Sequence, residues 1–355
     1  MLSAAATGTP RVALDGAAFF APWRDAPSIL LAVSGGPDSV ALMLLAARWR
    51  DAGACPPMAV ACVDHGLRPR SANEARQVAD WARRLRFEAT ILRWEGAKPA
   101  AGVQEKAREA RYRLLAAEAT RRGGATVMTA HHADDQAETV LMRLARGSGV
   151  AGLAGMAARA TLFGAALARP LLDIRKAELI GLCRAADHPF FDDPGNADAR
   201  FARARLRGLA ATLAAEGLDA DALLRLARRA ARADAALAVL AARDLPVRRL
   251  DDCTTLDLAA LAAAPQELRL RALAAAIAAC AEADAAPLSL ERLEALERRL
   301  DAALASGAPF AATLGGATLR VARGALLVRR EPPRRNGASR SPIDAPSLGK
   351  DGRGT

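Results

Sequence analysis

No stretch of the 355-residue chain approaches the ~18 consecutive apolar residues that a membrane span requires, although 52% of its residues are hydrophobic. The five cysteines, Cys55, Cys62, Cys183, Cys253 and Cys280, include no CxxC pair. That spacing argues against a disulfide framework and against a zinc or iron–sulfur site, and it reads them as small buried apolar residues. Residues 1–10 have no basic start and no apolar core, so neither a secretory signal nor an anchor is expected, and the expected compartment is the cytoplasm. The alanine-rich stretches follow no fixed period, which argues against a solenoid of repeats. Acid is in short supply: 39 Asp and Glu face 50 Lys and Arg, a net charge of +11. The excess favours a polyanionic partner, a nucleic acid, through counterion release. The codon bias of a GC-rich genome imposes the same Ala- and Arg-rich composition, and charge by itself leaves both explanations open.

What the chain does have begins at Ser34-Gly-Gly-Pro-Asp-Ser39, between the apolar run Ile29-Leu-Leu-Ala-Val33 and the helical pattern Val40-Ala-Leu-Met-Leu-Leu-Ala46. A strand, a glycine turn and a helix in that order make a phosphate cradle. Two glycines let backbone amides approach a polyphosphate without a Cβ in the way, and the helix adds the positive end of its dipole. No lysine follows the glycines, so this is not the GxxxxGK[ST] loop, and the spacing is not GxGxxG either. It resembles the SGGxDS loop of ATP pyrophosphatases, with ATP as the expected ligand.

Short β-rich runs at 29–33, 58–63, 89–94 and 125–130 alternate with helical patterns at 40–50, 71–87 and 103–122. The alternation predicts an α/β fold with a doubly wound parallel sheet. Ser71 with Glu74 reads as a capping box, and Gly123-Gly124 as a left-handed helix cap. From about residue 218 the pattern becomes long Ala/Leu/Arg helices at 219–243, 265–281 and 289–306, with no clear strand among them. Small β elements follow at 311–314 and 318–328. The expected organisation is an N-terminal extension (1–26), a nucleotide-binding catalytic domain (27–215), a mainly helical C-terminal domain (216–331) and a disordered tail (332–355). The apolar faces of the helical region are compatible with a homodimer and equally with internal packing.

In such sheets ligands sit beyond the carboxyl ends of the strands. After the second strand comes Asp64-His65-Gly66-Leu67-Arg68, where His65 suits the nucleotide's base or sugar. After the fourth comes Thr129-Ala-His131-His132-Ala-Asp134-Asp135-Gln136-Ala-Glu138-Thr139, with two imidazoles and three carboxylates within eight residues. Adenylation needs a hard cation on the triphosphate, and Mg²⁺ takes one or two carboxylates plus phosphates and water. Asp38 and Asp135 are the candidate Mg²⁺ ligands. Asp134 and Glu138 equally suit capping and dipole complementation at a helix start. His131 and His132 lack a nearby third zinc ligand, so contact with phosphate or proton handling is expected of them. Arg108 and Arg111 share one helical face, able to reach a phosphate or RNA backbone or to remain solvated.

With these segments in hand, residues 28–210 resemble the tRNA(Ile)-lysidine synthases of the PP-loop ATP pyrophosphatase superfamily, whose fold is adenine nucleotide α-hydrolase-like. The resemblance rests on Ser34 to Ser39, Asp64 to Arg68 with Ser71 and Glu74-Ala75, and Ala107-Arg-Glu-Ala-Arg-Tyr112. Its most specific part runs from Thr129 through Leu141-Met-Arg-Leu-Ala-Arg-Gly-Ser-Gly149 to Gly152-Leu-Ala-Gly155-Met156, and Arg169-Pro-Leu-Leu172 with Arg175 and Glu178-Leu179 extends it. The resemblance implies an enzyme that uses ATP to adenylate the C2 oxygen of the wobble cytidine in an isoleucine tRNA with a CAU anticodon. The ε-amine of free L-lysine then displaces AMP. It implies ATP contacts at Ser34, Gly35, Gly36, Pro37, Asp38 and Ser39 and phosphate and metal roles for Asp38 and Asp135; by position and chemistry His65 is a further candidate ATP contact, and Asp38, Arg111, His132 and Asp135 are the candidate catalytic residues. Arg143, Arg146, Arg203 and Arg207 become the expected tRNA contacts.

The chain departs from the family pattern at Asp193-Pro194-Gly195-Asn196 and Arg203-Ala204-Arg205-Leu206-Arg207, where Gly195 replaces a serine and Ala204 an asparagine. A tRNA thiolase of the same superfamily would need paired cysteines, which are missing. A non-catalytic RNA-binding protein would have no use for the carboxylate cluster, and a synthetase acting on a small molecule would not need the arginine-rich segments after residue 200.

Overall fold

The computed structural model describes residues 16–332 apart from 54, 97, 100, 101, 193–201, 252 and 281–287, with only the backbone described at 202–204. The expected tail and the departure at 193–196 lie outside the described residues.

The chain opens with α1 (Gly16–Phe20) and a 3-10 turn (Ala21–Trp23), then β1 (Ile29–Ala32), α2 (Pro37–Asp51), β2 (Met58–Asp64) and α3 (Ser71–Arg84). There follow β3 (Glu88–Arg93), α4 (Val103–Arg121), β4 (Thr126–Met128), α5 (Ala133–Leu144), α6 (Val150–Leu153), β5 (Arg159–Leu162), β6 (Ala165–Ala168) and α7 (Lys176–Ala185). The strands form one sheet in the order β3-β2-β1-β4-β6-β5. All pairs are parallel except β5, which folds back on β6 through Phe163 and Gly164, both at positive φ. The doubly wound parallel sheet is thus present, with an antiparallel edge strand added.

The central strand shows why it forms there. Ile29-Leu-Leu is apolar without alternation, as a strand covered on both faces must be. Ile29 and Leu31 face the core that holds α2 and α7, while Leu30 faces the core that holds Tyr112 and Leu115 of α4. Residues 16–23, placed by the sequence in an N-terminal extension, pack into the first core. Phe20 is fully buried and stacks on Trp49 of α2 with centroids 5.0 Å apart. β5 and β6 were not foreseen, because Arg-Ala-Thr-Leu and Ala-Ala-Leu-Ala are short runs with few β-branched or aromatic residues.

Ser71 forms no capping box, a correction to the sequence expectation. The cap of α3 is Arg70, without a side-chain bond. The Ser71 hydroxyl is instead hydrogen-bonded to the carboxylate of Asp64 at the end of β2. A tertiary acceptor has replaced the local one.

The second half comprises α8 (Ala202–Gly208), α9 (Ala210–Ala215), α10 (Ala220–Asp244), β7 (Arg248–Leu250), β8 (Cys253–Asp257), α11 (Leu258–Ala263), α12 (Gln266–Cys280) and α13 (Leu290–Ser306). β9 (Ala311–Leu314), β10 (Ala317–Ala322) and β11 (Ala325–Arg330) follow. An antiparallel sheet, β7-β8-β11-β10-β9, packs on α12 and α13 around Leu273, Ile277, Leu300, Leu319 and Leu326. The helical region therefore does hold strands: β7 and β8 lie between its helices, a second correction. They are short, and β8 finds its partner β11 only some 70 residues later, so no local pattern marks it.

Helix α10 belongs to both halves. Leu223 and Ala227 near its start pack on Ala137 and Val140 of α5, and Ala241 near its end joins the second core.

Candidate active site

β1 pairs with β2 on one side and β4 on the other, so the sheet's order reverses there. The residues that follow β1 and β4 are neighbours at the crevice so formed. Gly35 takes φ +88°, and a Cβ on it would lie 2.5 Å from the Phe191 ring. Glycine is obligatory at that position. Gly36 has extended φ and ψ and caps α2, and a Cβ on it would meet nothing within 4 Å. The protein's own packing leaves that flank of the turn open. Ser39 ties the turn together, because its hydroxyl accepts from the N–H groups of Ser34 and Gly35, each at 3.1 Å, and donates to the Gly36 carbonyl at 2.9 Å. Pro37, the first residue of α2, needs no hydrogen-bond partner for its nitrogen there.

Asp38 is in the first turn of α2. Its Oδ1 is buried with no hydrogen-bond partner, while its Oδ2 lies 3.6 Å from His132 Nε2 and 4.0 Å from Lys176 Nζ. His132 caps α5 and is nearly fully buried. Its Nδ1 accepts from the Asp135 N–H at 3.3 Å, and Asp135 Oδ2 accepts from the His132 N–H at 3.2 Å. That reciprocal cap leaves the imidazole proton on Nε2, which faces both Asp38 and, at 3.4 Å, Asp135 Oδ2. Burial opposes charging the ring, but the Asp38 hydrogen bond and the Asp135, Asp38 and Asp134 charges outweigh it and raise the His132 pKa above the ordinary value. In the charged form Nδ1 would face Asp134 Oδ2, 3.7 Å away.

Asp134 serves the frame. It accepts from the backbone N–H of Lys176 at 2.8 Å and lies 3.4 Å from Arg175, fastening α7 to α5. Lys176 was not singled out from the sequence, although it opens a helix soon after a strand end. His131 is bonded through Nδ1 to Thr129 Oγ1 at 2.9 Å.

The structure places His65 after β2, edge-on to Trp94, with a buried Nδ1 that has no hydrogen-bond partner. Burial first, then the Arg111 charge, hold its imidazole pKa below the ordinary value, and Lys98 and Arg68 add to this. Arg111 is thus within electrostatic reach of His65 while its guanidinium lies over the Tyr112 ring, 4.9 Å from the centroid.

The expected tRNA arginines are not equivalent. Arg143 donates to the carbonyls of Gly152 and Gly155 at 2.9 and 2.6 Å. Arg207 is paired with the buried Glu138, one bond of the fork measuring 3.1 Å. Both are thereby engaged in holding the protein's own loops and helices. Arg146 is exposed, and the side chain of Arg203 lies outside the described residues.

Among the described residues, no three His, Cys, Asp or Glu side chains gather into a metal site. Zinc is therefore poorly served here. Mg²⁺ needs fewer protein ligands, and Asp38, with an unbonded buried oxygen, beside Asp135 fits it.

A PP-loop domain model matches residues 10–212. The chain is 51% identical over 88% of its length to a tRNA(Ile)-lysidine synthase of Methylobacterium sp. strain 4-46, covering 93% of that relative. It belongs to the tRNA(Ile)-lysidine synthase family. Two further members of the family bear the same name. One, from Bradyrhizobium sp. strain BTAi1, is 48% identical over 92% of this chain and 96% of its own length. The other, from Rhodopseudomonas palustris, is 49% identical over 89% and 94%. Among solved structures, the U34-tRNA thiolase NcsA of Methanococcus maripaludis superposes with a TM-score of 0.49 at 16% identity, covering 57% of this chain and 72% of that one.

Proposed function

We propose that this chain is an ATP-consuming ligase that forms lysidine at the wobble position of the CAU-anticodon isoleucine tRNA. Near-full-length identity of 51% to a protein of that name carries the proposal. ATP adenylates the C2 oxygen of the cytidine and releases pyrophosphate. The ε-amine of free lysine attacks C2, and AMP leaves. A carbonyl oxygen leaves poorly until it is a phosphate ester, which is why the reaction needs ATP.

The open flank of Gly36 and the amino end of α2 suit the triphosphate. Asp38 and Asp135 would hold Mg²⁺, which when bound neutralises phosphate charge. The Nε2 proton of His132, lying between the two carboxylates, keeps them aimed at one place. Arg111 supplies positive charge near the leaving phosphates, and His65 attends the base or sugar. Arg146 and Arg203 are the proposed tRNA contacts, while Arg143 and Arg207 act on the tRNA through the segments they hold. A thiolating enzyme would need a reactive cysteine pair. Burial instead pushes the Cys62 thiol up to about 12 and the Cys183 thiol up to about 11, leaving both unreactive.

Incubation with ATP, Mg²⁺, radiolabelled lysine and an unmodified CAU-anticodon isoleucine transcript tests the proposal. Label should enter the RNA only when ATP and the wobble cytidine are both present. Pyrophosphate release without label in the RNA would overturn lysine as the nucleophile.

A further inference from the structure

Helix α7 is fastened to α5 at its start, where the Lys176 N–H meets Asp134, and the chain leaving its far end reaches the nucleotide turn. Asp187, at φ +47°, turns the chain out of the helix. The N–H groups of Asp187 and His188 close the last turn on the carbonyls of Arg184 and Cys183, each at 3.0 Å. Trp81 of α3, buried at 4% exposure, then receives the returning chain: His188 meets it edge-on with centroids 5.3 Å apart, and the Phe191 ring packs on it at 4.9 Å. So seated, Phe191 closes over Gly35, with Val78 of α3 on the same side. A Cβ on Gly35 would lie 2.5 Å from the Phe191 ring and 2.9 Å from Val78 Cγ2. The Phe191 N–H donates to the Gly35 carbonyl at 2.8 Å. None of the steps above uses that bond.

The Gly35 carbonyl and the Gly36 N–H belong to one planar trans peptide, in which C=O and N–H point in opposite directions. Anchoring the carbonyl on Phe191 therefore aims the Gly36 N–H away from Phe191, and the flank at Gly36 is open, with nothing within 4 Å of where a Cβ would be. A peptide between two glycines turns over readily, because no side chain on either residue opposes it. Turned over, it would present a carbonyl oxygen to phosphate and repel it. Ser39 cannot prevent this, since it holds the Gly35 N–H, which belongs to the preceding peptide. We propose that Phe191 is a positioning residue for ATP: it holds the Gly35–Gly36 peptide in the one orientation that offers the Gly36 N–H to the triphosphate. The bond is made by backbone atoms, and the side chain supplies the anchorage, by wedging Phe191 between Trp81 and Gly35.

This role rests on ATP being the ligand of the turn and is tested on the full chain with Mg²⁺ present. Calorimetric titration gives Kd for ATP, and competition gives Kd for adenosine, which lacks the phosphates. Phe191→Ala removes the ring that seats the strap, while Phe191→Met keeps an apolar side chain of similar size. Phe191→Ala should raise Kd for ATP by about 10- to 100-fold, the loss expected for one hydrogen bond to a charged group. Kd for adenosine should stay within about twofold, and Phe191→Met should recover most of the loss with ATP. An equal loss with ATP and adenosine overturns the role, because that marks a general disturbance of the site, and so does unchanged ATP binding. If Phe191→Ala fails to fold, hydrogen exchange on wild-type protein decides. ATP holds the peptide with its N–H outward and so keeps its carbonyl on Phe191, which should slow exchange of the Phe191 amide about tenfold or more at saturation. Adenosine should leave that rate unchanged. An amide indifferent to ATP, or slowed as much by adenosine, overturns the role. Wild-type protein that binds no ATP defeats the ATP reading itself. Wild-type protein that binds ATP, with a folded Phe191→Ala variant that binds it as tightly, defeats only this role of Phe191.

Discussion

Asp38 keeps one oxygen buried and unbonded while the other faces His132 and Lys176. Exchanging that carboxylate for an amide removes a charge and leaves the shape nearly unchanged. Asp38→Asn should therefore lower ATP-dependent lysine incorporation by roughly 100-fold or more, with the tRNA Kd within about twofold, because the basic surface is untouched. Filter binding beside the incorporation assay separates the two, and an equal loss in both would count against a metal role. Asp64 gives a pH test. Burial pushes its carboxyl up, but hydrogen bonds from Ser71 and the Gly66 N–H, with Arg93 and His65 nearby, bring the net shift below the ordinary range. A depressed folded pKa stabilises the fold fully above the unfolded value of about 4, and the contribution fades as pH falls through the folded pKa. Ser71→Ala should cost about 1 kcal/mol at pH 7. That deficit should shrink as urea unfolding is repeated from pH 5 downward, and a deficit independent of pH would point to lost packing instead.

Among the elements, α5 does most to join chemistry to framework. His132 caps it, and Asp134 ties it to α7. Gln136 exchanges both of its amide bonds with the backbone of Met156, at 2.8 and 2.6 Å, so the turn at 147–156 is strapped along the helix. Gly155 has to be glycine there, since φ is +74° and a Cβ would lie 2.7 Å from the Gln136 amide. Gln136→Ala leaves two backbone groups seeking water and should cost about 1–3 kcal/mol, read as a lower urea midpoint. The gap between the urea midpoints of variant and wild type should be the same with and without ATP, because the strap lies outside the nucleotide turn. A gap that widens with ATP would show that Gln136 supports ATP binding.

Across the whole molecule, α10 carries one end of its apolar face into each half of the protein, so the halves share a helix instead of a free linker. A charge of +11 spread over such a body favours a long polyanion. The logarithm of tRNA affinity should fall linearly with the logarithm of salt concentration, and Arg146→Ala should reduce the slope by up to about 0.9 if it meets a phosphate. A slope unchanged in that variant would remove Arg146 from the interface, and binding insensitive to salt would trace the excess arginine to composition alone.

The sequence by itself determined the parallel sheet, its phosphate-binding turn, the carboxylate-rich start of α5 and the family. Each of these depends on neighbours along the chain: apolar runs, glycines at positions of positive φ, and caps within one helical turn. Tertiary structure decided what depends on distant partners. It drew Ser71 to Asp64, spent Arg143 on the 152–155 turn and Arg207 on Glu138, and paired β8 with β11. A side chain with several available partners takes the one that folding brings within reach, and for these residues that partner lies beyond a single helical turn along the chain.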